Sequence, residues 1–426
     1  MLRAKTMHDT AVSLDRDIAQ SSNTRTLRVL LVHNKYQLSG GEDEVYEREK
    51  ELLTTQGHEV IEYVRHNCEI LDYGVRQRVS LGFRTAWAWD SYYDLTRIIR
   101  ATKPAVAHFH NWFPLISPSA YHACASRKVP VVQTLHNPRL LCPAATCYRA
   151  GVECKDCFRR IVPWPAIVHA CYRGSRAQSA AVAFALSVHN LLRTWRVCVD
   201  RYIASTEFYR ERFIEGNLPA NKIMIKPHFV REDPGPATGM RNHGLFVGRL
   251  SREKGVACLL EAWRALPQIP LKIRGEGPLA GAVFEFAKTR SFVQILPRLR
   301  RCELYDSMKS AAFLVWPSEG LYETFGLVAI EAFACGLPVI ASRAGAMEEV
   351  VCDGKTGLLF RPGDAEDLAS KVNWAWAHPE ELKRMGRAAR LEYETKYSSE
   401  KNYPMLMTIY ESVMNHRKSY AERLLT

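Results

Sequence analysis

Residues 27–57 read LRVLLVHNKYQLSGGEDEVYEREKELLTTQG, and this stretch decides the fold class. Leu27–His33 is a short apolar, β-branched run, typical of a buried parallel strand. A turn at Gly40-Gly41 follows, and the charged, amphipathic stretch Glu42–Gln56 predicts a helix. A buried strand, a glycine turn and a helix form the repeating unit of a doubly wound parallel sheet.

The same unit recurs in two halves of the chain, which Pro227–Gly239 separates as a proline- and glycine-rich linker. Further strands are expected at Val60–Val64, Ala105–His110, Val129–Leu135, Leu245–Gly248, Leu271–Arg274, Phe292–Leu296, Phe313–Trp316 and Pro338–Ala341. We therefore expect an α/β protein of two facing Rossmann-like domains, with ligands beyond the carboxyl ends of the strands. The expected divisions are a disordered leader (1–25), a first domain (26–234), a second domain (235–395) and a C-terminal helix (396–426).

The charge and the cysteine content indicate the class of binding partner and the cell compartment to expect. The 426 residues carry a net charge of +13, and residues 101–200 contain 12 Lys/Arg against 3 Asp/Glu. Such a field suits nucleic acid, a phosphorylated substrate or an acidic lipid surface, or it is a solvated basic face. No stretch is apolar enough to span a membrane, and the 12 cysteines follow no secretory signal. We expect reduced thiols in a cytoplasmic protein.

The segment Ser318–Pro338, SEGLYETFGLVAIEAFACGLP, is the most informative for function. It predicts a helix over Phe325–Cys335, with Glu323 at its mouth and Glu331 about two turns later. Both carboxylates can then border one elongated ligand, while the amides of Thr324–Leu327 favour anionic oxygens. In the plainer interpretation, Glu323 only offsets the helix dipole and Glu331 lies on a solvated face.

Two cations follow the strand Leu245–Gly248. Arg249 could grip a diphosphate with its planar guanidinium, and Lys254 could act as a point charge. Alternatively, both are surface charges beside a turn. Arg274-Gly275 offers a similar turn after a later strand.

Four segments together resemble the donor half of a retaining GT-B glycosyltransferase of the family-4 group, also called bacterial glycosyl transferases group 1. They are VGRLSREKG (247–255), IRGEGPL (273–279), PSEGLYETFGLVAIEAFACGLPVIAS (317–342) and DGKTGLLFRPGD (353–364). The resemblance implies transfer of a hexose-type sugar, with retention, from a UDP- or GDP-sugar. The acceptor would be a glycan or lipid-linked glycan in cell-surface polysaccharide or glycolipid synthesis. It also implies that the last helix crosses back onto the first domain.

The resemblance assigns roles to individual residues. Glu331 would bind the ribose of the nucleotide and Glu323 would contact the sugar. Arg249 and Lys254 would hold the diphosphate, so that no catalytic metal is required. The only D-x-D sequence, Asp15-Arg-Asp17, lies in the leader. The implied donor site comprises Gly40, Gly41, Arg249, Lys254, Arg274, Gly275, Glu323, Thr324, Phe325, Gly326, Leu327 and Glu331.

In the first domain, the resemblance places a histidine beside the reacting sugar at the end of the strand Val129–Leu135. His136 occupies that position, and we expect it to position the sugar rather than to abstract a proton. With Glu323, Arg249 and Lys254 it forms the expected catalytic set, although a histidine at a strand end can also be structural. His110, Asn111 and Trp112 are expected to contact the acceptor, beside an apolar lip of Trp112, Phe113, Leu115 and Ile116. The loop Ser39-Gly40-Gly41 before a helix predicts an anion seat.

The cysteines Cys142, Cys147, Cys154 and Cys157 are spaced C-x4-C-x6-C-x2-C within an insertion near residues 142–171. Four thiolates suit tetrahedral Zn²⁺, so these cysteines are the candidate ligands of a structural zinc, with Cys171 as a fifth candidate. Free thiols in a packed insertion are the alternative.

Ser179–Leu192 is apolar and has arginines at both ends, namely Arg173, Arg176, Arg193 and Arg196. It predicts either an interfacial helix on the inner face of the plasma membrane, near a lipid-linked acceptor, or a core helix. Two other functions remain open: a zinc-knuckle nucleic-acid-binding protein and a GT-B nucleotide-sugar epimerase. No known nucleic-acid-binding motif is present, so nucleic acid is not expected as a partner.

Overall fold

Two parallel sheets, one from each half of the chain, form the frame of the molecule. The structure, a computed structural model, describes residues 26–37, 40–319 and 323–423. The expected leader over residues 1–25, with Asp15 and Asp17, lies outside the described residues, as does Ser39 of the glycine loop.

The first half contributes six strands to one sheet and a small hairpin outside it. The strands are β1 (Arg28–Lys35), β2 (Glu59–His66), β3 (Val106–Asn111), β4 (Val131–Thr134), the hairpin strands β5 (Tyr148–Arg149) and β6 (Val152–Glu153), β7 (Arg201–Ala204) and β8 (Ile223–Ile225). The helices are α1 (Gly41–Thr55), α2 (Val75–Ala86), α3 (Trp89–Thr102), α4 (Ser119–Ser126), α5 (Pro165–Val168), α6 (Arg176–Leu191), α7 (Thr194–Val197) and α8 (Glu207–Glu215). The sheet order is β2-β1-β3-β4-β7-β8, and all its pairings are parallel.

The second half repeats the design. Its strands are β9 (Gly244–Val247), β10 (Leu271–Arg274), β11 (Val293–Leu296), β12 (Phe313–Trp316), β13 (Val339–Ser342) and β14 (Gly357–Phe360). Its helices are α9 (Val256–Arg264), α10 (Ala280–Lys288), α11 (Arg301–Ser310), α12 (Leu327–Ala334), α13 (Ala346–Val350), α14 (Ala365–Ala377), α15 (Pro379–Glu392) and α16 (Ser399–Arg423). The parallel order is β11-β10-β9-β12-β13-β14. The two doubly wound sheets confirm the expected α/β fold class.

The long helix α16 returns to the first half, as expected. Its residues Leu406, Tyr410 and Val413 form one buried apolar cluster with Val29 and Leu31 of β1. Burial of apolar surface therefore holds the C-terminal helix against the first sheet. No helix among the described residues has the length and apolar content needed to cross a bilayer.

Each sheet has a point at which the direction of strand succession reverses. It lies between β1 and β3 in the first sheet and between β9 and β12 in the second. Loops that leave adjacent strands in opposite directions open a crevice there, where open α/β sheets bind ligands. We call these two places the first and the second switch point.

Candidate active site

At the second switch point, Lys254 and Glu323 form a close ion pair. The Lys254 Nζ lies 2.5 Å from Glu323 Oε2. Gly255, which follows the lysine, has φ of +69°, and a Cβ on it would lie 1.9 Å from the carbonyl oxygen of Pro317. Only glycine allows this approach, so the turn after β9 brings Lys254 against the loop after β12.

Glu323 accepts two further hydrogen bonds and is almost buried. Trp316 Nε1 donates over 3.1 Å and Ser318 Oγ over 3.0 Å, both to Oε2. Burial raises the pKa of Glu323, but the charge of Lys254 and the three donors outweigh burial and lower the pKa below its usual value. All three of these hydrogen bonds are made to Oε2.

Arg249 and Arg274, the other two cations predicted for the donor site, lie at the ends of the neighbouring strands β9 and β10. Arg249 lies just beyond β9 and is exposed, and no carboxylate of the described residues forms an ion pair with it. Arg274 ends β10, where it is the register partner of Val247 in β9, and Gly275 follows. The structure thus brings the predicted arginines, Lys254 and Glu323 to the same edge of the second sheet.

The helix after Glu323 begins later than expected. It covers Leu327–Ala334, so the amides of Thr324 and Phe325 precede it and are not part of its first turn. Gly326 has φ of +90°, and a Cβ there would lie 2.0 Å from the Trp316 ring. The chain turns tightly at this glycine before the helix can start. The Thr324 carbonyl oxygen accepts a hydrogen bond from Ser205 Oγ of the first domain over 3.0 Å.

Glu331, the predicted ribose ligand, pairs across the cleft with Arg48 of α1. The Arg48 side chain is only 2% exposed and that of Glu331 13% exposed. Arg48 Nη1 also donates to the Phe229 carbonyl oxygen over 2.6 Å, and its Nε donates to Glu44 over 2.8 Å. Glu331 is therefore not on a solvated face; it lies on the surface where the two domains meet.

Beside the first switch point, the predicted residues line one cavity at the ends of β3 and β4. His110, Asn111, Trp112 and His136 are brought together there, confirming that the two strand ends converge. His110 Nδ1 lies 3.0 Å from His136 Nε2, with the two rings stacked. Two lining residues that were not predicted, Asn137 and Arg139, come from the loop after His136.

A buried charge pair lies behind these histidines. Glu49 Oε1 is 2.7 Å from Lys226 Nζ, and all atoms of both side chains are inaccessible to solvent. Glu49 Oε2 lies 3.5 Å from His110 Nε2, and this negative oxygen favours a proton on that nitrogen. His110 Nδ1 and His136 Nε2 are joined by one hydrogen bond, in which one nitrogen donates and the other accepts.

Burial lowers the pKa of His110 and of His136 well below the ordinary histidine value. The neighbouring imidazoles lower it further, because two positive rings in contact would repel each other. Both rings are therefore neutral near pH 7. A neutral His136 can orient a hydroxyl group through a hydrogen bond, in keeping with a positioning role.

The glycine loop before α1 is less suited to an anion than expected. The Gly40 amide donates to Asp43 Oδ2 over 3.0 Å, so one free donor of the helix start is already used. Glu42 lies in the same turn and accepts from Asn137 Nδ2 over 2.6 Å. Burial raises the pKa of Glu42. Gly41 nevertheless faces the cleft, since a Cβ on it would lie 3.7 Å from Leu327 of the second domain.

Within the described part of the chain, one trio of side chains has ligand atoms within 4.8 Å of one another: Glu49, His108 and His110. Lys226 already neutralises Glu49. Both nitrogens of His108 have hydroxyl partners, Tyr410 and Thr134, each at 2.8 Å. Lys226 contacts Glu49 Oε1, whereas Glu49 Oε2 and His110 Nε2 are buried and have no hydrogen-bond partner among the described residues.

Two family models match the chain, one in each half. The model of "Glycosyltransferase Family 4" matches residues 40–233, and that of "Glycosyl transferases group 1" matches residues 233–392. An uncharacterised glycosyltransferase of Methanocaldococcus jannaschii is 32% identical over 219 residues, 51% of this chain and 59% of that protein. The D-inositol 3-phosphate glycosyltransferase of an Arthrobacter species is 38% identical over 160 residues, 35% of this chain and 38% of that protein. The chain thus spans less than two thirds of the length of these relatives.

Solved structures share the fold at low sequence identity. Sucrose-phosphate synthase from Thermosynechococcus elongatus superimposes with a TM-score of 0.67 at 18% identity, covering 92% of this chain and 100% of that one. Anabaena HepE in complex with UDP and glucose gives 0.61 at 16% identity, with 92% and 100% covered. Because the two family models follow one another along both domains, the chain belongs to the family-4 group of GT-B glycosyltransferases.

Proposed function

We propose that the protein transfers a hexose-type sugar from a UDP- or GDP-sugar to a glycan or lipid-linked acceptor, with retention and without a catalytic metal. One observation carries the proposal: the cations Arg249 and Lys254 lie at the second switch point, and the neutral His136 lines a cavity beside the first. The two cations supply positive charge where the diphosphate would leave. His136 supplies a hydrogen-bonding group where the sugar would lie.

On the donor side, the leaving diphosphate gains negative charge as the bond from the sugar C1 to oxygen breaks. Arg249 is exposed and able to approach it, and Lys254 is already fixed by Glu323. Groups that are oriented beforehand stabilise developing charge without reorganising, an effect worth about 3–4 kcal/mol for one donor. These cations would do the work that a divalent ion does in other enzymes.

Retention follows from the resemblance, and the surroundings of Glu323 support same-face transfer. Its Oε2 accepts from Lys254, Trp316 and Ser318. A carboxylate stabilised by three donors is a weak nucleophile, so a covalent sugar intermediate on Glu323 is disfavoured. Its other oxygen can instead accept a hydrogen bond from a sugar hydroxyl group.

The cavity beside His136 contains a buried cation. Arg139 is 9% exposed, stacks on Phe113 with 3.9 Å between guanidinium carbon and ring centre, and donates to the Pro143 carbonyl oxygen over 2.9 Å. No carboxylate of the described residues forms an ion pair with it, and its Nε has no hydrogen-bond partner there. A buried guanidinium in this position suits an acceptor that carries a carboxylate or phosphate group.

An apolar patch on the first domain supports a membrane-bound acceptor. Helix α6 buries Val182 and Leu186, as a core helix would, but exposes Phe184 and Leu191. Asn190 Nδ2 donates to the Ile161 carbonyl oxygen over 3.0 Å, which places that exposed segment beside the end of α6. The patch comprises Phe83, Ile161, Trp164, Phe184, Leu191 and Leu192. Exposed arginines come from the same segments of the chain, namely Arg160, Arg173, Arg176, Arg193 and Arg196. Apolar side chains together with basic ones complement an anionic bilayer, such as the inner face of a plasma membrane.

The test is product analysis after incubation of the pure protein with UDP-, GDP- and ADP-sugars and a panel of glycan and lipid-linked acceptors. We expect a glycosylated acceptor from a UDP- or GDP-sugar, with the donor's anomeric configuration by NMR. Inversion would contradict the retaining mechanism. An epimerised nucleotide sugar with no glycosylated product would favour the epimerase instead.

A further inference from the structure

Four cysteines in the insertion between β4 and α6 line one small cavity. They are Cys142, Cys154, Cys157 and Cys171, and the remaining lining residues are Ala144, Tyr148, Arg149 and Ala166. The hairpin β5–β6 folds the chain back on itself. The four thiols therefore reach the same cavity although they span 29 positions of the sequence. Cys147, which the sequence spacing favours as a ligand, does not line the cavity; its thiol bonds to that of Cys142.

Backbone amides point at two of the four sulfur atoms. The amides of Ala144, Thr146 and Cys147 donate to Cys142 Sγ. The amide of Ala166 donates to Cys157 Sγ. Amide donors aimed at sulfur can keep their hydrogen bonds when the cysteine binds a metal ion, as outer-shell donors to metal ligands do. This feature is independent of the spacing of the cysteines in the sequence.

The charge around the cavity also fits a metal thiolate. A tetrathiolate zinc centre has a net charge of about −2, since four thiolates surround one divalent ion. The Arg149 guanidinium lines the cavity and bonds to Cys171, so it offsets part of that charge. Asp156 balances the arginine, with 2.7 Å between Nη2 and the carboxylate.

We propose that Cys142, Cys154, Cys157 and Cys171 bind one Zn²⁺ and that Cys147 is not a ligand. Four soft thiolate ligands without imidazole or carboxylate select zinc among the common divalent ions. No three of these sulfur atoms lie within 4.8 Å of one another in the described residues. The thiols therefore close on the ion by rotating their side chains into the cavity that they line.

Such a centre would fix the loop that borders the candidate active site. Pro143 follows one ligand and accepts from Arg139 over 2.9 Å. Tyr172 follows another, and its ring centre lies 5.6 Å from the Arg139 guanidinium. The metal would thus tie together both segments that pack on Arg139.

The test compares two single substitutions in the full-length protein purified without chelators. Zinc per chain is measured by elemental analysis in the wild type, in Cys171→Ser and in Cys147→Ser. We expect one zinc in the wild type and in Cys147→Ser. Cys171→Ser should lose most of the metal and unfold at a lower temperature, because metal binding adds to folding free energy.

Cobalt replacement gives a second readout that does not depend on the variants. Co²⁺ bound to the wild type in place of zinc should show the intense visible bands of tetrahedral thiolate coordination. Absence of zinc from the wild type would overturn the site, as would disulfides among these cysteines in freshly purified reduced protein. Loss of zinc in Cys147→Ser with retention in Cys171→Ser would overturn the proposed ligand set.

Discussion

The two switch points present different polar groups to the cleft. At the second, the groups are charged: Lys254 pairs with Glu323, and Arg249 is exposed beside them. Beside the first, the neutral, buried rings of His110 and His136 line the cavity together with the buried cation Arg139, and the charges of Glu49 and Lys226 are enclosed behind the rings.

This contrast teaches how two sheets of similar topology can share the work of one reaction. Charged groups are costly to bury without a partner, so each is paired, as Glu49 and Lys226 are, or held where an anionic ligand can use it. Neutral rings cost less to enclose and still orient hydroxyl groups. If this comparison is right, substitutions of the cations and of the histidines should differ in how much they lower turnover and in which property of the protein they change.

The largest effect is expected from the cations. Arg249→Ala and Lys254→Ala should each lower turnover at least about 100-fold, comparable to the loss of one oxyanion donor. Steady-state rates with the best donor measure this effect. Arg264→Ala is a matched control, because that exposed arginine lies on α9 and pairs with Glu261. Near-wild-type rates in both variants would remove the donor site from the second switch point.

Binding to membranes should respond strongly to charge. Each basic residue near an anionic surface contributes about 1 kcal/mol, and salt screens the attraction. The wild type should co-sediment with anionic vesicles at low salt, detach as salt rises, and bind neutral vesicles weakly. A combined change of four arginines to Gln should weaken binding about tenfold or more; these are Arg173, Arg176, Arg193 and Arg196. Unchanged binding would show that this patch is not the docking surface.

His136→Ala should have a smaller effect on turnover than loss of a cation. One hydrogen bond between neutral groups is worth about 1 kcal/mol, which corresponds to a loss of roughly tenfold or less. Because burial lowers the pKa of His136, the turnover of the wild type should show no histidine titration between about pH 6.5 and 8. If the wild-type turnover does change with pH in that range, and the change disappears in His136→Ala, proton transfer would be assigned to His136 instead.

The buried histidines should make stability depend on pH. Burial lowers the pKa of His108 to about 4, and lowers that of His228 as well. Below about pH 6.5 these histidines are protonated in the unfolded chain but stay neutral in the folded chain. The free energy of unfolding therefore falls as the pH decreases, by up to about 1.4 kcal/mol per pH unit for each histidine. His228→Gln should reduce this slope in denaturant titrations. His169→Gln, at an exposed position, is the control, and equal slopes in all three proteins would contradict the explanation.

The regular parts of the fold could be predicted from the sequence. The strands Leu271–Arg274 and Phe313–Trp316 have the expected bounds, because each follows from a compact apolar pattern. Arg201–Ala204 and Ile223–Ile225 were not predicted. Each contains only three apolar residues in a row, which are too few to show the alternation of apolar and polar residues typical of a strand. Pairing with neighbouring strands decides their structure instead.

Within the candidate site, local motifs predicted the residues on each switch point but not the pairs between distant segments. Arg48 and Glu331 are 283 positions apart, and Lys226 and Glu49 are 177 apart. Nothing in the spacing of either residue points to its partner. The late start of α12 was also unexpected, because it depends on the contact between Gly326 and the Trp316 ring. Asn137 and Arg139 directly follow His136, so the loop after that strand end was the one signal that could have found them.

Nucleotide binding tests the central claim most directly. Isothermal titration calorimetry with UDP and GDP, without added divalent ions, compares the wild type with Arg249→Ala and the control Arg264→Ala. We predict that at least one nucleotide binds the wild type and Arg264→Ala equally, and that Arg249→Ala weakens it about tenfold or more, as loss of a charge-assisted contact should. A wild type that binds neither nucleotide, or an Arg249→Ala variant with wild-type affinity, would contradict a donor diphosphate at the second switch point.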